Sequence, residues 1–372
     1  MGPWFGRGGD RDRATAGREC LDAPLAGRST PFLLVDEQVL TDNIRAMADL
    51  ARRRGCRLRP HAKTHKSPDI ARLQLDAGAV GLTVATLGEA EVFAAAGFAD
   101  LFVAYPLWVD RARGARLRAL RRTASVLVGV DSEAGVRALS TEAPGTAVLV
   151  EVDSGQHRSG TAPERTGELA RLARSSGLAV RGVFTFPGHG YHPDRRHEAA
   201  AQEADALGRA VGSMSAAGVT AAVVSGGSTP TAGCPPAGPT TELRPGSYVF
   251  NDAQQWELGS CTPAALALTC VATVVSHGTG DGVVLDAGSK ALGADRPDWT
   301  TGWGRLPDHP DVRVVSLSEH HAVLAWDGSA PPTVGSRVRV VPNHVCNAVA
   351  LADELVRPDG TTWPVSARGA LS

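Results

Sequence analysis

Lysine is nearly absent from this chain of 372 residues. The sequence contains 38 lysine and arginine residues, and only three of them are lysines: Lys63, Lys66 and Lys290. Arginine can replace lysine in almost every surface role, but it cannot form a Schiff base with a carbonyl compound. Two lysines within four positions, 63 and 66, therefore indicate a chemical role, although a solvated basic loop is the simpler alternative.

Other absences exclude whole classes of protein. The net charge is −1, so the composition does not indicate binding to nucleic acid or another polyanion. The six cysteines, at positions 20, 56, 234, 261, 270 and 346, lack the regular spacing of a disulfide framework. Such a scattered distribution is typical of proteins in a reducing compartment. No basic-then-apolar leader begins the chain, and no apolar run is long enough to span a bilayer. We expect a cytoplasmic protein without membrane or nucleic-acid partners.

The hydrophobic pattern predicts two domains in a chain of this length. We expect residues 1–29 to form a flexible tail, residues 30–250 an α/β barrel, and residues 251–372 a domain of short β-strands. Helix-like runs separate most of eight strand candidates, which predicts a parallel (β/α)8 barrel. The candidates are residues 57–62, 81–84, 101–104, 125–130, 147–152, 180–185, 221–225 and 247–250.

The first strand candidate leads directly to the paired lysines. Because side chains alternate along a strand, Arg59, His61 and Lys63 should share one face. Lys66 comes three residues later and precedes Ser67-Pro68, a sequence typical of a helix start. We therefore expect Lys63 to point inward and to carry pyridoxal phosphate (PLP), with His61 beside it as a cofactor contact.

Polar loops follow three later strands, where barrel enzymes place their sites. Residues 153–158 follow the fifth strand and residues 187–191 follow the sixth. The loop after the seventh strand reads Ser225-Gly226-Gly227-Ser228-Thr229, and glycines let backbone N–H groups approach an anion. A simple turn is the alternative, but beside a candidate Schiff-base lysine the composition favours a phosphate-binding loop.

The third candidate is a histidine and a cysteine two positions apart, His344 and Cys346. On a strand these side chains would project from the same face. An imidazole with a thiolate suits zinc, and two ligands leave positions open for water or substrate. The pair therefore indicates a catalytic rather than a structural metal, with a buried cysteine beside a hydrogen-bonded histidine as the alternative.

Taken together, these motifs resemble the D-serine dehydratase and D-threonine aldolase group of fold-type III PLP enzymes. The resemblance extends from about residue 30 to residue 368 and implies an alanine-racemase-like barrel followed by a β domain. The landmarks are residues 59–66 (RPHAKTHK), 151–158 (EVDSGQHR), 188–191 (GHGY), 225–230 (SGGSTP), 243–246 (LRPG), 286–290 (DAGSK) and 342–346 (PNHVC).

The resemblance implies a role for each candidate residue. Lys63 would bind PLP, Arg158 would lie near the phenolic oxygen of PLP, and Tyr191 would sit over the cofactor. Lys63 and Tyr191 are the expected catalytic residues. The phosphate would be held by Ser225, Gly226, Gly227, Ser228 and Thr229. His344 and Cys346 would bind a divalent metal, which is zinc in the dehydratases of this group.

Two departures from the family pattern bear on the substrate. Phe186-Pro187 stands where relatives often have His-Cys, on the cofactor face. Residues 319–322 read Glu-His-His-Ala where relatives often read Glu-Glu-His-Gly, and the role of His320 stays open. In the aldolases of the group the second metal ligand is typically Asp, with manganese or magnesium, so Cys346 favours a dehydratase.

The resemblance predicts a PLP- and metal-dependent lyase that acts on β-hydroxy-D-amino acids. The favoured reaction converts D-serine into pyruvate and ammonia. The alternative is a D-threonine aldolase that releases glycine and an aldehyde. An amino-acid racemase, which needs no metal, and a non-catalytic PLP-binding protein, which needs no His-x-Cys pair, are less favoured. We expect zinc, with manganese or magnesium as alternatives, a small-molecule amino-acid substrate and a homodimer.

Overall fold

The computed structural model describes residues 24–235, 238–278, 282–326 and 328–372. These residues form two compact units, each built from separate chain segments. The first unit comprises residues 24–46, 64–69 and 247–368, and the second comprises residues 47–63, 70–246 and 369–372. Over these described ranges, no helix is both long enough and apolar enough to cross a membrane.

Strands and helices alternate up to residue 226, and strands predominate after residue 257. The strands are β1 (Phe32–Val35), β2 (Arg57–Leu58), β3 (Leu82–Val84), β4 (Asp100–Pro106), β5 (Ser125–Val130), β6 (Ala147–Glu151), β7 (Ala179–Phe184), β8 (Val223–Gly226), β9 (Glu242–Leu243), β10 (Leu268–His277), β11 (Gly282–Leu285), β12 (Gly304–Leu306), β13 (His309–Leu317), β14 (Ala322–Ala325), β15 (Arg337–Pro342), β16 (Glu354–Val356) and β17 (Thr362–Pro364). The helices are α1 (Glu37–Arg53), α2 (Pro68–Asp76), α3 (Leu87–Ala95), α4 (Arg111–Leu120), α5 (Glu133–Glu142), α6 (Thr166–Ser175), α7 (Arg196–Ala216), α8 (Ala253–Glu257), α9 (Ser289–Leu292) and α10 (Val345–Leu351).

The second unit is an eight-stranded parallel sheet in the order β2-β9-β8-β7-β6-β5-β4-β3. An isolated parallel bridge between His61 and Thr83 joins the two ends of this order, so the sheet closes on itself. Buried side chains from four neighbouring strands pack together inside it: Phe102, Leu127, Leu149 and Phe184. The rings of Phe102 and Phe184 meet edge to face at 5.0 Å. The predicted barrel is confirmed.

Local capping explains where the crossover helices of this unit begin. Thr86, Asp110 and Ser132 each precede a helix, and each side chain accepts a hydrogen bond from the N–H three residues later. Such caps satisfy backbone donors that the first helical turn leaves unpaired. Because the helices return the chain to the same edge each time, the carboxyl ends of the parallel strands gather at one end of the barrel.

Two strand predictions were wrong in detail. The eighth strand is β9 (Glu242–Leu243), whereas the predicted residues 247–250 contain a short 3₁₀ turn, Ser247–Val249. The first strand ends at Leu58 instead of continuing to residue 62. Both strands are only two residues long, and β2 and β9 pair with each other, so neither has a detectable period of its own.

The first unit contains a nine-stranded sheet in the order β11-β14-β13-β12-β15-β10-β1-β16-β17. An additional antiparallel pairing of β10 with β11 closes six of these strands into a barrel. The predicted C-terminal β domain is confirmed as a fold. Strand β1, expected within residues 30–250 of the barrel domain, instead pairs antiparallel with β10 in this unit.

The N-terminal prediction falls partly outside the described residues, which begin at residue 24. Of the predicted tail, residues 1–23 lie outside the described ranges. Within residues 24–29, Leu25 is 1% exposed and packs with Phe32, Leu34, Val271 and Val356. An apolar side chain buried in this way holds the segment against the sheet, so residues 24–29 do not behave as a tail. The boundary at residue 250 stays a prediction.

Candidate active site

Lys63 lies in a 3₁₀ turn, Ala62–Thr64, whereas it was expected directly after a strand that ends at residue 62. The side-chain Nδ1 of His61 accepts a hydrogen bond of 3.4 Å from the backbone N–H of Lys63. The backbone N–H of His61 donates in turn to the carbonyl oxygen of Pro245 at 3.0 Å. The direction of the lysine is therefore set by this turn, and His61 shapes the turn.

Arg59 does not share a face with Lys63. Its guanidinium is buried and donates to Glu242 at 2.9 Å and to Asp100 at 2.8 Å. Burial would lower the pKa of Arg59, but the hydrogen bonds and charges of Asp100 and Glu242 raise it above its ordinary value. Arg59 thus stays charged inside the barrel wall and has a structural role.

The ring of Phe186 brings three predicted site residues together. The Nζ atom of Lys63 lies 5.7 Å from the centroid of this ring, and Cζ of Arg158 lies 5.4 Å from it. The ring of Tyr191 is 6.1 Å away and tilted by 44°. An aromatic face attracts cations, so Phe186 gathers the two positive side chains at the carboxyl end of the barrel.

The three lysines differ in their surroundings. Lys290 forms an exposed ion pair with Glu319 at 2.6 Å. Lys66 has a left-handed backbone, with φ of 51°, and its buried amine donates to the carbonyl oxygen of Ala367 at 3.5 Å. Among the described residues, no carboxylate lies within ion-pair distance of the Lys63 amine. Lys63 is thus the lysine whose amine is not committed to a structural partner.

The loop that carries Arg158 is organised by Asp153. Its carboxylate accepts backbone hydrogen bonds from Gly155 at 2.9 Å and from His157 at 3.0 Å, and it pairs with Nδ1 of His157 at 2.7 Å. Burial opposes the ionised form, but these hydrogen bonds lower the pKa of Asp153 below its ordinary value. The charged carboxylate therefore stabilises the turn that presents Arg158.

The predicted phosphate loop, residues 225–229, begins with the last two residues of β8, the seventh strand of the barrel, and all five residues are buried. Ser225 donates its hydroxyl to Glu242 at 2.7 Å, and the N–H of Ser228 donates to the hydroxyl of Thr231 at 3.0 Å. These groups hold the loop in shape. Gly227 has φ of 80°, a conformation that favours glycine.

Sequence reasoning missed Glu203, which supports this loop from helix α7. Its buried Oε1 accepts a hydrogen bond of 2.6 Å from the N–H of Gly227. A Cβ atom on Gly226 would lie 2.5 Å from the same oxygen, so a side chain there would force the Glu203 carboxylate to move. Burial raises the pKa of Glu203 to about 7, although the N–H of Gly227 and the charge of Arg244 oppose the shift.

Arg244, part of the landmark LRPG, was also given no role from the sequence. It is buried, donates to the carbonyl oxygen of Thr185, and lies over the rings of Phe102 and Phe184 at 5.5 and 5.3 Å. Burial lowers the pKa of Arg244 to about 10, despite the nearby charge of Glu242. The residue therefore places a positive charge inside the barrel.

The first unit holds the predicted metal pair, but not on a strand. Strand β15 ends at Pro342, His344 is the N-cap residue of α10, and Cys346 lies in the first turn of that helix. The side chains of His344 and Cys346 are nevertheless hydrogen-bonded to each other. The thiol of Cys346 also lies 3.3 Å from the hydroxyl of Thr64. The expected proximity holds, and the helix start provides it.

Two aspartates that the sequence did not indicate surround this pair. Asp295 pairs with Nδ1 of His344, and buried Asp252 accepts a hydrogen bond of 3.1 Å from the N–H of Val345. Burial would lower the pKa of His344, but Cys346 and Asp295 raise it well above its ordinary value. No signal in the local sequence could have identified Asp295, which is 49 positions from its partner.

These donors fit the groups that the resemblance implies. An amine without a carboxylate partner, an aromatic face and a buried glycine loop suit the aldehyde, ring and phosphate of PLP. An imidazole beside a thiol suits a divalent ion such as zinc. Among the described residues there is no group of three or more His, Cys, Asp or Glu side chains that could hold a metal.

Comparison with known families decides the classification. The model for the N-terminal domain of alanine racemase matches residues 35–254, and a serine dehydratase domain model matches residues 267–357. The chain belongs to the D-serine dehydratase and D-threonine aldolase group of fold-type III PLP enzymes. As a member of this family, it is a PLP-dependent lyase.

The curated relatives that match nearly the whole chain include a dehydratase and an aldolase. The D-threo-3-hydroxyaspartate dehydratase of Delftia sp. is 34% identical over 366 residues, which covers 90% of this chain and 96% of the relative. The D-threonine aldolase of Arthrobacter sp. is 34% identical over 367 residues, which covers 93% of this chain and 94% of the relative. Both a dehydratase and an aldolase are thus equally similar to this chain.

Solved structures agree with the family fold. The dehydratase from Delftia sp. HT23 has a TM-score of 0.83 at 31% identity and covers 91% of this chain and 97% of its own. A D-threonine aldolase from Filomicrobium marinum has a TM-score of 0.81 at 31% identity, with 94% and 98% covered. One further structure of the dehydratase is a cysteine-to-alanine variant in the metal-free form.

Proposed function

We propose that this lyase is a metal-dependent dehydratase of β-hydroxy-D-amino acids and that D-serine is a substrate. The observation that carries the proposal is the contact between the imidazole of His344 and the thiol of Cys346. A thiolate and an imidazole form a soft ligand pair that suits zinc. The metal-free cysteine variant described for the dehydratase relative supports the same interpretation.

Lys63 and its neighbours would hold the cofactor and move the proton. The Lys63 amine would bind the aldehyde of PLP and, once substrate has taken its place, accept the proton from Cα. Arg158 and Tyr191, which both lie near the ring of Phe186, would orient the pyridine ring of PLP and its phenolic oxygen. The loop of residues 225–229, with Glu203 behind Gly227, would hold the phosphate.

The two bound groups would supply the chemistry that side chains lack. PLP supplies an electron sink for the electron pair left at Cα. A divalent ion at His344 and Cys346 supplies Lewis acidity toward a departing hydroxide. In the overall reaction, D-serine loses water by elimination, and hydrolysis of the product then releases pyruvate and ammonia.

The second candidate function is retro-aldol cleavage of D-threonine to glycine and acetaldehyde. It is favoured by the aldolase relative, which is 34% identical, as is the dehydratase. The same lysine and metal pair would serve both reactions, since the outcome depends on whether hydroxide leaves Cβ or the β-hydroxyl loses its proton. D-threo-3-hydroxyaspartate belongs in the substrate set because the dehydratase relative is named for it.

Product analysis separates these candidates. The purified protein, loaded with PLP and zinc, is incubated with D-serine, D-threonine and D-threo-3-hydroxyaspartate, and with L-serine as the stereochemical control. We expect pyruvate from D-serine, loss of activity with a chelator, recovery with zinc, and no reaction of L-serine. Glycine and acetaldehyde from D-threonine without pyruvate from D-serine would establish the aldolase instead. Chelator-resistant turnover of any D-substrate would refute metal dependence.

The homodimer, the cytoplasmic location and the domain boundary at residue 250 belong to the same proposal. Sedimentation of the PLP-loaded protein tests the dimer directly. A single species with the mass of one chain, 38.6 kDa, at assay concentration would contradict it.

A further inference from the structure

The carboxylate of Asp295 lies against the imidazole of His344, with Oδ2 paired to Nδ1. Helix formation does not account for this contact. His344 is the N-cap residue of α10, yet its side chain makes no capping hydrogen bond. Its imidazole is instead held between Asp295 and the thiol of Cys346. The ring orientation is therefore set by tertiary partners rather than by the helix.

Asp295 is itself anchored to the same short segment. The buried side chain of Asn343 donates to the backbone carbonyl oxygen of Asp295 at 3.0 Å. Asp252 accepts a hydrogen bond of 3.1 Å from the N–H of Val345. Residues 343, 344 and 345 are thus each tied to an aspartate, with His344 in the middle. Such a support limits how far the imidazole can rotate or shift.

The chemistry of imidazole gives this contact a consequence. A neutral imidazole has one N–H donor and one nitrogen acceptor, and only the acceptor can bind a metal. A carboxylate beside Nδ1 keeps the proton on that nitrogen and leaves Nε2 free as the ligand. Histidines that bind metals commonly donate their other N–H to a carboxylate, which fixes the tautomer and increases ligand basicity.

We propose that Asp295 is the positioning residue for the metal ligand His344. It holds the tautomer in which Nε2 faces the metal, and it fixes the ring direction without binding the ion itself. The inference rests on the proposed function, because it requires that His344 and Cys346 bind a metal. It assigns a role to a residue outside the His-x-Cys motif.

The test measures zinc affinity, independent of catalysis. Metal-free wild type, Asp295→Asn and Asp295→Ala compete for zinc with a chromophoric chelator. Asp298→Ala is the matched control, because Asp298 is an exposed aspartate three positions away. We expect zinc binding to weaken about 10- to 100-fold in Asp295→Ala, since loss of such a carboxylate has effects of this size. Asp295→Asn should weaken less, because its amide oxygen can still accept the hydrogen bond, and Asp298→Ala should match wild type.

Cobalt provides a second measurement, which distinguishes positioning from direct ligation. At saturating cobalt, Asp295→Ala should retain the thiolate-to-cobalt charge-transfer band, because Cys346 remains a ligand. If Asp295→Ala binds zinc as tightly as Asp298→Ala does, the inference is overturned. It is also overturned if Asp295→Asn folds but fails to bind cobalt at saturation. If wild type binds no zinc, the proposed metal site fails as well. If wild type binds zinc tightly and the Asp295 variants bind it equally well, only the role of Asp295 is refuted and the metal site stands.

Discussion

The buried carboxylate of Glu203 accepts a hydrogen bond of 2.6 Å from the backbone N–H of Gly227. This contact couples helix α7 to the predicted phosphate loop, which begins at the end of β8. Because the N–H of Gly227 already has a partner inside the protein, it shapes the loop and does not face outward. The loop is therefore pre-organised by a group whose charge depends on pH near neutrality.

This contact predicts a pH-dependent stability. The pKa of Glu203 is about 7 in the folded protein and about 4.5 as its ordinary value, so the folded state holds the proton more tightly. The resulting stability is complete below pH 4.5 and is lost as the pH rises through 7. We expect wild type to lose up to about 3 kcal/mol more than Glu203→Gln between pH 5 and pH 8, at 1.36 kcal/mol per pKa unit.

Chemical denaturation of the apoprotein at both pH values measures this difference. Glu198→Gln is the control, because Glu198 is exposed on the same helix and should leave the wild-type pH dependence intact. Parallel pH profiles for wild type and Glu203→Gln would show that the carboxyl group titrates normally.

Lys63 should be the site of covalent PLP attachment. Among the described residues, its amine has no carboxylate partner, whereas Lys290 pairs with Glu319. The PLP-loaded protein should absorb at the visible edge of the ultraviolet, and borohydride should fix one PLP on the peptide that contains Lys63. Peptide mapping by mass spectrometry gives the position. A label on Lys66 or Lys290 contradicts the assignment.

Cys346 should control both the amount and the kind of metal. We expect Cys346→Ala to lose about one equivalent of zinc per chain, because one of two protein ligands is removed. Cys346→Asp should shift preference towards manganese, since a carboxylate is a harder ligand than a thiolate. Elemental analysis after dialysis against mixed metals measures both effects. Cys270→Ala is the control, because that thiol is buried and has a pKa raised to about 12. Unchanged zinc content in Cys346→Ala would count against the site.

Phe186 should contribute to cofactor binding through its aromatic face. Its ring gathers Lys63, Arg158 and Tyr191 within 6.1 Å. Phe186→Leu should weaken PLP binding about two- to tenfold, because aromatic contacts contribute about 0.5–1.5 kcal/mol beyond area burial. Phe186→Tyr keeps the ring and should bind PLP as wild type does. Fluorescence titration of the apoprotein gives the affinities, and equal values for the Leu and Tyr variants would exclude a role for the ring.

Many of the site residues could be predicted from short stretches of the sequence. The scarcity of lysine, the glycines of residues 225–229 and the spacing of His344 and Cys346 are local features. The six strands β3 to β8 were also predictable, because strands of three or more residues with helices between them have a detectable hydrophobic pattern. The resemblance to the family then implied a chemical role for each of these residues.

The wrong secondary-structure predictions have a common cause, which is that contacts between distant segments determine the local structure there. Strand β9 is two residues long and exists because it pairs with β2 and β8, so no local period marks it. The first strand was predicted to reach residue 62, yet it ends at Leu58, and the N–H of Lys63 donates to His61 within a turn. His344 and Cys346 were expected on a strand, and a helix start brings them together instead.

The sequence by itself determined which reactive side chains this protein has, because lysine, thiol, imidazole and glycine are properties of single residues. It also determined the alternation of strands and helices, which follows from local hydrophobic periodicity. Only the tertiary structure decided which groups support them: Glu203 lies 24 positions from Gly227, and Asp295 lies 49 positions from His344. Such contacts form only when distant segments pack together, and burial is what raises the pKa of the Glu203 carboxyl group.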